Sequence, residues 1–278
     1  MIIGMLKFPL NADSTWLLQH RRDVTSQCGE DGILAKVFET IGDHGGTHAR
    51  VCVEFGAWDG RKFSNTYALV KEQGWTGYLI EANAEKFRGL RETYRGVAGA
   101  RPINRMVRLD AGEGTLEEIL AEHGCPEEID LLSIDIDGND YHVWEGMAGR
   151  RAKVVVVEFN PTVPNDVYFV QDRSLEVNQG CSLLALDKLA KEKGYQLVCA
   201  TEWNAIFVRE EYFPLFHIAD NSLNAMYRPQ MNGRIFHGYD GTIHVVGMPA
   251  LMWHGVSLSF ENFQVLPPHR RVFGDAQR

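Results

Sequence analysis

Acidic residues close several apolar runs in the N-terminal part of the chain. Glu54 lies in the run VEFGAWDG, residues 53–60, beside a glycine turn, and Glu81 closes the next apolar run, GYLIEA. Glycines let the backbone approach a ligand closely, and an acid at the tip of a second strand can hold both hydroxyls of a ribose. The spacing predicts a site for a cofactor that contains a nucleoside.

Further acids follow the later apolar runs. They are Asp110, Asp135, Asp137 and Glu158. Because ligands of open parallel sheets bind outside the carboxyl ends of the strands, we expect these acids to converge on one crevice. Converging carboxylates are costly unless a cation lies among them, so the crevice suits a positively charged ligand. Each acid alone could instead cap the helix that follows it.

Alternating strand-like and helix-like runs predict the sheet that positions these acids. A helix is predicted over residues 26–42, before the first strand. The predicted strands cover residues 51–55, 77–81, part of 103–109, 129–135 and 153–159, followed by a hairpin at 196–200 and 205–208. The predicted helices between them cover residues 65–73, 84–94, 115–122, 141–147 and 183–193. This order predicts a mostly parallel, seven-stranded, Rossmann-like α/β sheet with helices on both faces.

Changes of pattern along the chain suggest three regions. Residues 1–48 form an N-terminal helical extension, 49–210 form the core domain, and 211–278 form an irregular C-terminal extension that we expect to pack on the core as a cap. The histidines of that extension lack the spacing of a metal site. A homo-oligomer is left open by the sequence.

Composition excludes several classes of partner. The net charge of -9 and the pI near 5.6 argue against a nucleic-acid ligand held by a basic surface. The five cysteines are scattered, which predicts reduced thiols and a cytoplasmic protein rather than a disulfide framework or a zinc site. The apolar start of the chain is a poor signal peptide, and no run is long enough to span a bilayer.

The glycine turn itself discriminates between cofactors. Dinucleotide-binding turns follow the pattern G-x-G-x-x-G, whereas this turn offers Gly56 and Gly60 with Trp58 and Asp59 between them. An acidic turn repels a pyrophosphate. It suits S-adenosylmethionine, which carries a sulfonium and an ammonium group.

Several stretches together resemble the FkbM-type methyltransferases, which belong to the class I S-adenosylmethionine-dependent enzymes. The stretches are SQCGEDGI, VEFGAWDG, SNTY, GYLIEAN, LLSIDIDGNDYHVW, VVVVEFNP, YDGT and QVLPPHRR. They cover most of the chain in order. The commonest pattern in that family has Asp-Val-Glu-Gly after the fourth strand, whereas this chain reads DIDG with Asp137 in the place of the glutamate.

The resemblance implies a role for each residue of the cofactor site. Glu54, Gly56 and Gly60 would line the methionine side of the cofactor, and Glu81 would hold the ribose hydroxyls. Asp110 would lie near the adenine and Asp135 near the methionine ammonium. Asn65 would bond the methionine carboxylate or cap its own helix, and Trp58, next to Asp59, would pack against the cofactor or into the core.

The residues after the fourth and fifth strands are the candidates for the acceptor side. A hydroxyl acceptor needs a general base or a metal, and the candidates for catalysis are Asp137, His142 and Glu158. His142 has the best unperturbed pKa for a base, but it could equally face solvent from its helix. Asn160, Tyr168 and Gln171 are candidates for binding the acceptor, or they belong to a loop that covers the sheet edge.

A magnesium site is a further alternative. Some small-molecule O-methyltransferases hold Mg²⁺ with an acid after strand four and an acid–asparagine pair after strand five. Asp137, Glu158 and Asn160 resemble that arrangement, and their oxygens suit Mg²⁺. The competing interpretation is that Glu158 and Asn160 shape the loop EFNPTVPN.

The sequence therefore predicts an S-adenosylmethionine-dependent methyltransferase acting on an oxygen of a small molecule, a sugar or glycan, or a natural product. Nitrogen remains open as the acceptor atom. A nucleotide- or sugar-nucleotide-binding oxidoreductase or epimerase and a non-catalytic cofactor-binding module are the alternatives from other classes.

Overall fold

The computed structural model describes residues 10–44, 48–109, 114–229, 234–246 and 260–272. The chain divides into two compact units, Met1–Arg228 and Pro229–Arg278. The first unit contains a seven-stranded sheet and its helices. The second contains a small hairpin of β8 (Arg234–His237) and β9 (Ile243–Val246), which pair antiparallel.

The seven strands of the first unit form one sheet in the order β3-β2-β1-β4-β5-β7-β6. Their bounds are β1 Val51–Phe55, β2 Thr76–Ile80, β3 Ala100–Ile103, β4 Glu128–Ile134, β5 Arg151–Glu158, β6 Tyr195–Ala200 and β7 Asn204–Arg209. Every pairing is parallel except those of β7, which runs antiparallel to both neighbours. The predicted Rossmann-like α/β sheet is confirmed.

Helices connect the strands. Their bounds are α1 Glu30–Asp43, α2 Ala84–Thr93, α3 Leu116–Glu122, α4 Asp140–Gly146, α5 Leu183–Glu192 and α6 Leu223–Met226. The strands β1, β4, β5 and β7 are buried almost along their whole length, which explains their uninterrupted apolar runs. None of the helices in the described residues combines the length and the apolar character that crossing a bilayer requires.

The third strand lies earlier than the sequence predicts. We expected it within residues 103–109, but β3 covers Ala100–Ile103 and the following residues form a loop. The reason is that β3 is the edge of the sheet, where Pro102 is tolerated because one side of the strand needs no partner. The stretch ARPI therefore lacks the apolar pattern by which the inner strands are recognised.

The helix expected over residues 65–73 is also different. Its regular part is a π-helical turn, Ala68–Glu72, which begins twelve residues after Gly56. The preceding residues form a loop held by side-chain hydrogen bonds rather than a helical turn. No regular helix therefore starts at the glycine turn.

The first helix belongs to the same hydrophobic core as the sheet. Ile33, Val37 and Ile41 are fully buried within that core. At the start of α1, the Glu30 carboxylate accepts hydrogen bonds from Thr201 Oγ1 (2.7 Å) and Asn204 Nδ2 (3.1 Å). These bonds tie the helix to the turn between β6 and β7. The domain limits at residues 48 and 210 stay a prediction.

Candidate functional site

The candidate site lies where the strand order reverses, between β1 and β4. Connections leave β1 towards one side of the sheet and β4 towards the other, so a crevice opens at the carboxyl ends of these two strands. The Asp135 N–H donates to the Phe55 carbonyl (3.1 Å), which holds the two strand ends together. The glycine turn follows one strand and the DIDG turn follows the other.

Gly56 occupies a position that only glycine fits. Its φ of 84° is left-handed, and an added Cβ would lie 1.7 Å from the carbonyl oxygen of Asp135. The N–H groups of Gly56 and Ala57 both donate to the Ile80 carbonyl, at 3.1 and 3.0 Å. The turn is thus fixed to the ends of β2 and β4, and these two donors are already used within the protein.

Glu81 joins the glycine turn to the loop after β2. One carboxylate oxygen accepts the Trp58 N–H (2.9 Å), and the other accepts the Asn83 N–H (2.7 Å). Asn104, just after β3, donates to the Glu81 carbonyl (2.7 Å) and so holds the same loop from the other side. The half-buried Glu81 carboxylate keeps free lone pairs for a ligand hydroxyl.

Trp58 lies at the outer surface of the turn. Its φ is 47° and its side chain is 39% exposed. The ammonium groups of Lys86 and Lys62 lie 4.3 and 5.3 Å from the centre of the ring. The structure thus places Trp58 at the surface and not in the core, and its packing against a cofactor stays a prediction.

Asp59 and Gly60 complete the turn. An Asp59 carboxylate oxygen accepts the N–H groups of Arg61 (2.9 Å) and Lys62 (2.8 Å), so Asp59 caps the next bend. Beside it is an open cavity of about 350 Å³. The cavity is lined by Val24, Thr25, Ser26, Asp59, Arg61, Lys62 and Phe63. Glu81 and the acids after β4 and β5 lie outside that lining.

Glu54 organises the loop that follows the turn. It is buried, and its carboxylate accepts hydrogen bonds from Ser64 Oγ (2.7 Å), the Asn65 N–H (2.7 Å) and Thr66 Oγ1 (2.8 Å). Burial raises the pKa of Glu54, and these hydrogen bonds oppose the rise. A role of Glu54 towards the cofactor would therefore be exerted through the loop.

Asn65 presents a buried hydrogen-bond acceptor. Its amide Nδ2 donates to Ser133 Oγ on β4 (3.1 Å), while its Oδ1 has no hydrogen bond among the described residues. A buried carbonyl oxygen in this state is costly, so a ligand that donates a hydrogen bond would be stabilised there.

Three carboxylates meet at the ends of β4 and β5. One oxygen each of Asp135, Asp137 and Glu158 lies within 4.8 Å of the other two. Burial and the negative charges of Asp140 and Asp137 raise the pKa of Asp135 well above its ordinary value. Asp137 is exposed and has a φ of 57°, a strained conformation that Asp tolerates better than most residues.

Glu158 is the buried member of this group. Its side chain is 7% exposed, and Oε2 has no hydrogen-bond partner among the described residues. Burial, followed by the charges of Asp135, Asp140 and Asp137, raises the pKa of Glu158 well above its ordinary value. The backbone N–H of Asp137 opposes this rise through a hydrogen bond. We call Asp135, Asp137 and Glu158 the acidic cluster.

Asp140 fixes the turn that carries the cluster. It is buried at the start of α4, and its two oxygens accept the N–H groups of Ile136 and Gly138, both at 2.9 Å. Burial raises the pKa of Asp140 to about 6, against the effect of these backbone hydrogen bonds.

His142 has a partner outside the cluster. A carbonyl can only accept, so the Nε2–H of His142 donates to the Gln171 carbonyl (2.9 Å). Its Nδ1 lies 3.7 Å from Glu145 Oε2. The predicted catalytic role of His142 stays a prediction, and the observed bonds give it a part in holding the loop after β5.

The three expected acceptor-binding residues differ in their freedom to bind a ligand. Asn160 accepts from the Thr162 N–H (3.0 Å) and donates to the Gln179 carbonyl (2.7 Å). Buried Gln171 accepts from the N–H groups of Gln179 and Gly180 and donates to the Val177 carbonyl, all at 2.8 Å. Tyr168 is 51% exposed, so of the three it has the surface to meet an acceptor.

One expected residue lies outside the described part of the chain, and others were missed. Asp110, expected near the adenine, is not among the described residues. Asn104, which holds the Glu81 loop, was not predicted, because the third strand was expected within residues 103–109 and Asn104 was therefore not recognised as a residue that follows the strand end. Asp31, whose carboxylate accepts the N–H groups of residues 24–26 beside the cavity, gave no signal beyond its place at a helix start.

Comparison with known proteins gives distant structural likenesses. No family model matches the chain. No curated protein matches it either. The METTL16 methyltransferase domain matches with a TM-score of 0.41 and 13% identity over 64% of this chain and 66% of that chain, slightly under two thirds of its length.

Two solved bacterial structures are similar at the same level. A SAM-dependent methyltransferase from Aquifex aeolicus matches with a TM-score of 0.36 and 10% identity over 62% of this chain and 87% of that chain. An S-adenosylmethionine-dependent methyltransferase from Clostridium acetobutylicum ATCC 824 matches with a TM-score of 0.39 and 10% identity over 65% of this chain and 90% of that chain. Likenesses at these TM-scores assign neither a family nor a reaction to this chain.

Proposed function

We propose that this protein is an S-adenosylmethionine-dependent methyltransferase of the FkbM type that methylates an oxygen of a small molecule, sugar or natural product. The observation that carries the proposal is the chemistry of the crevice between β1 and β4. Its glycine turn has already used the N–H groups of Gly56 and Ala57 on the Ile80 carbonyl, and the side chains after the strands are acidic.

This chemistry disfavours a dinucleotide. Pyrophosphate binding needs free N–H groups at the start of a helix, with the positive end of the helix dipole behind them. Here the π-helical turn starts only at Ala68, and Asp59 contributes a negative charge to the turn. The turn therefore lacks the phosphate-binding site that the oxidoreductase alternative requires.

The same chemistry fits a cofactor with positive groups. When bound, S-adenosylmethionine supplies an electrophilic methyl group on a sulfonium. Glu81 has lone pairs at the tip of β2 for the ribose hydroxyls. Asn65 Oδ1, which has no hydrogen-bond partner in the described ranges, suits the methionine ammonium, a donor, better than the methionine carboxylate. Asp135 adds negative charge on the same side.

The acidic cluster supports oxygen as the acceptor atom. A hydroxyl must lose its proton as it attacks, and a carboxylate whose pKa is raised towards neutrality is a suitable base. Burial and neighbouring charge raise the pKa of Asp135 and Glu158 above their ordinary values. Asp137 is the exposed member that would meet the acceptor first. We propose that the cluster receives the proton.

The remaining parts of the proposal concern environment and partners. All five cysteines are free and four are buried, which supports a reducing compartment such as the cytoplasm. The net charge of -9 supports a small-molecule or glycan acceptor rather than a nucleic acid.

Calorimetry with S-adenosylhomocysteine and with NAD⁺ tests the proposal. We expect S-adenosylhomocysteine to bind and NAD⁺ to give no heat of binding. Glu81→Ala should weaken S-adenosylhomocysteine binding by about 1 to 3 kcal/mol, because a buried hydroxyl pair loses its acceptor. Glu72→Ala, an exposed acid on the π-helical turn, is the control and should leave the affinity unchanged. Binding of NAD⁺ without S-adenosylhomocysteine binding would refute the proposal.

A further inference from the structure

The acidic cluster has a geometry beyond what a general base requires. One oxygen from each of Asp135, Asp137 and Glu158 lies within 4.8 Å of the others. Two oxygens bound to one cation lie at most about 4 to 5 Å apart, since Mg²⁺–O and Ca²⁺–O distances are about 2.0 to 2.6 Å. We infer that these three carboxylates form a binding site for a hard divalent cation such as Mg²⁺ or Mn²⁺.

Glu158 Oε2 is an independent indication of a ligand. This oxygen is buried and has no hydrogen-bond partner among the described residues, although it lies on a side chain directed into the cluster. Carboxylate oxygens in protein interiors are normally hydrogen-bonded or bound to a cation, because an uncompensated one is costly. A divalent cation would bind this oxygen and would also neutralise the negative charge of Asp135 and Asp137.

The carboxylates are held by well-connected backbone. Asp140 accepts the N–H groups of Ile136 and Gly138, and the Asp135 N–H is bound to the Phe55 carbonyl. Glu158 ends a central strand of the sheet. Such outer contacts orient metal ligands before the ion arrives. Because Asp137 is exposed, solvent and ions have a path to the cluster.

The inferred site differs from the one considered from the sequence. Asn160 was its third member there, but its amide is bound to Thr162 and Gln179. Asp135 takes its place. The set changes from two acids and an amide to three acids, which increases the charge available to a cation.

The site also suggests a class of acceptor. Mg²⁺ prefers six oxygen ligands, so three protein oxygens leave about three positions for water or for oxygens of a second ligand. An acceptor with two neighbouring oxygens could occupy two of them, and the cation would lower the pKa of its hydroxyl. With the cation bound, the three carboxylates would act as its ligands and would not themselves receive the proton. This extension rests on the proposed methyl transfer, whereas cation binding itself does not.

Binding of Mn²⁺ to the full chain tests the inference. After treatment with EDTA and its removal, Mn²⁺ would be titrated and the free ion followed by electron paramagnetic resonance. We expect one site per chain from which Mg²⁺ displaces Mn²⁺. Glu158→Gln and Asp137→Asn should each weaken binding at least about tenfold. Glu72→Gln, an exposed acid elsewhere, should bind as the unchanged protein does.

Thermal unfolding separates loss of the ligand from loss of the fold. Without added cation, Glu158→Gln should unfold at a temperature no lower than the unchanged protein, because it removes a repelled charge. Mn²⁺ should raise the unfolding temperature of the unchanged protein and of Glu72→Gln, but not of Glu158→Gln. If Glu158→Gln is misfolded, the loss of Mn²⁺ binding in Asp137→Asn, a change at an exposed residue, tests the inference by itself. No Mn²⁺ binding, or equal binding by all variants, overturns the inference.

A last measurement distinguishes the cation from the ammonium of the cofactor. If S-adenosylhomocysteine displaces Mn²⁺ competitively, the cluster is the ammonium site and the cation inference is wrong. Retained Mn²⁺ binding in saturating S-adenosylhomocysteine supports it. If S-adenosylhomocysteine binds and Mn²⁺ does not, the cation site falls while the proposed function stands. If Mn²⁺ binds and S-adenosylhomocysteine does not, the cation site stands and the proposed function is wrong.

Discussion

Gly56 lies so close to Asp135 that an added Cβ would come within 1.7 Å of the Asp135 carbonyl oxygen. This contact joins the two turns of the crevice, one after β1 and the other after β4. The position of the proposed cofactor turn and that of the acidic cluster are therefore coupled through backbone, and a change in one turn must displace the other.

Gly56→Ala should disturb both turns. Gly74→Ala is a matched control, because Gly74 also has a left-handed φ (72°) but has no atom within 4 Å of an added Cβ. Both variants should lose about 1 kcal/mol to backbone strain, and Gly56→Ala should lose about 1 to 3 kcal/mol more to the clash. Urea unfolding measures the difference, and calorimetry should show loss of S-adenosylhomocysteine binding for Gly56→Ala alone. Equal stabilities would show that the two turns move apart freely.

Glu54→Gln should destabilise the loop of residues 64–66. The carboxylate accepts three hydrogen bonds there, and an amide has one acceptor oxygen and an NH₂ group that would face the fixed Asn65 N–H. We expect a loss of about 1 to 3 kcal/mol in urea unfolding, the cost of an unsatisfied buried donor. Glu72→Gln should be neutral. An unchanged midpoint for Glu54→Gln would mean that the loop rearranges without cost.

Stability should fall as the pH rises from about 4 to about 7 in the presence of EDTA. Burial raises the pKa of Asp140 from 3.8 to about 6, and it also raises the pKa of Asp135 and Glu158. Between the unfolded and folded pKa values the folded state binds more protons, so each group destabilises the fold as it ionises. The temperature of unfolding across this pH range measures the effect. Glu158→Gln should show a weaker decline, and a decline as steep as that of the unchanged protein would contradict this explanation.

Gln171→Ala should loosen the loop of residues 172–180. The buried amide, which directly precedes the loop, binds the backbone of the loop's last residues, at Val177, Gln179 and Gly180. Local opening should then cost less, and trypsin should cleave faster after Arg173 within the loop. Gln73→Ala, at an exposed residue, should leave the cleavage rate unchanged. Equal cleavage of both variants would assign the order of the loop to other contacts.

The sequence predicted the inner sheet well and the fine structure of the site less well. Apolar runs such as VVVV identify β5 because burial on both faces leaves one kind of residue acceptable. The edge strand with Pro102 carries no such signal. The strand-end acids could be predicted to converge, since parallel strands end at one edge of the sheet.

Which polar groups are free could not be predicted. Asn160 and Gln171 have suitable chemistry for a ligand, but contacts with Thr162, Gln179 and Gly180 use their amides. Such contacts depend on how a loop folds back on itself, and residue spacing does not record that. Glu158 is the opposite case, because its Oε2 has no hydrogen-bond partner within the part of the chain that the structure describes.

The edge strand β3 has a consequence for association between copies of the chain. An open strand edge can pair with a second molecule and extend the sheet from one protein into the next. Here the edge is four residues long, and two of them are Arg101 and Pro102. A short edge with a charge and a proline resists such pairing, so this strand is a poor place for a second copy of the protein to extend the sheet.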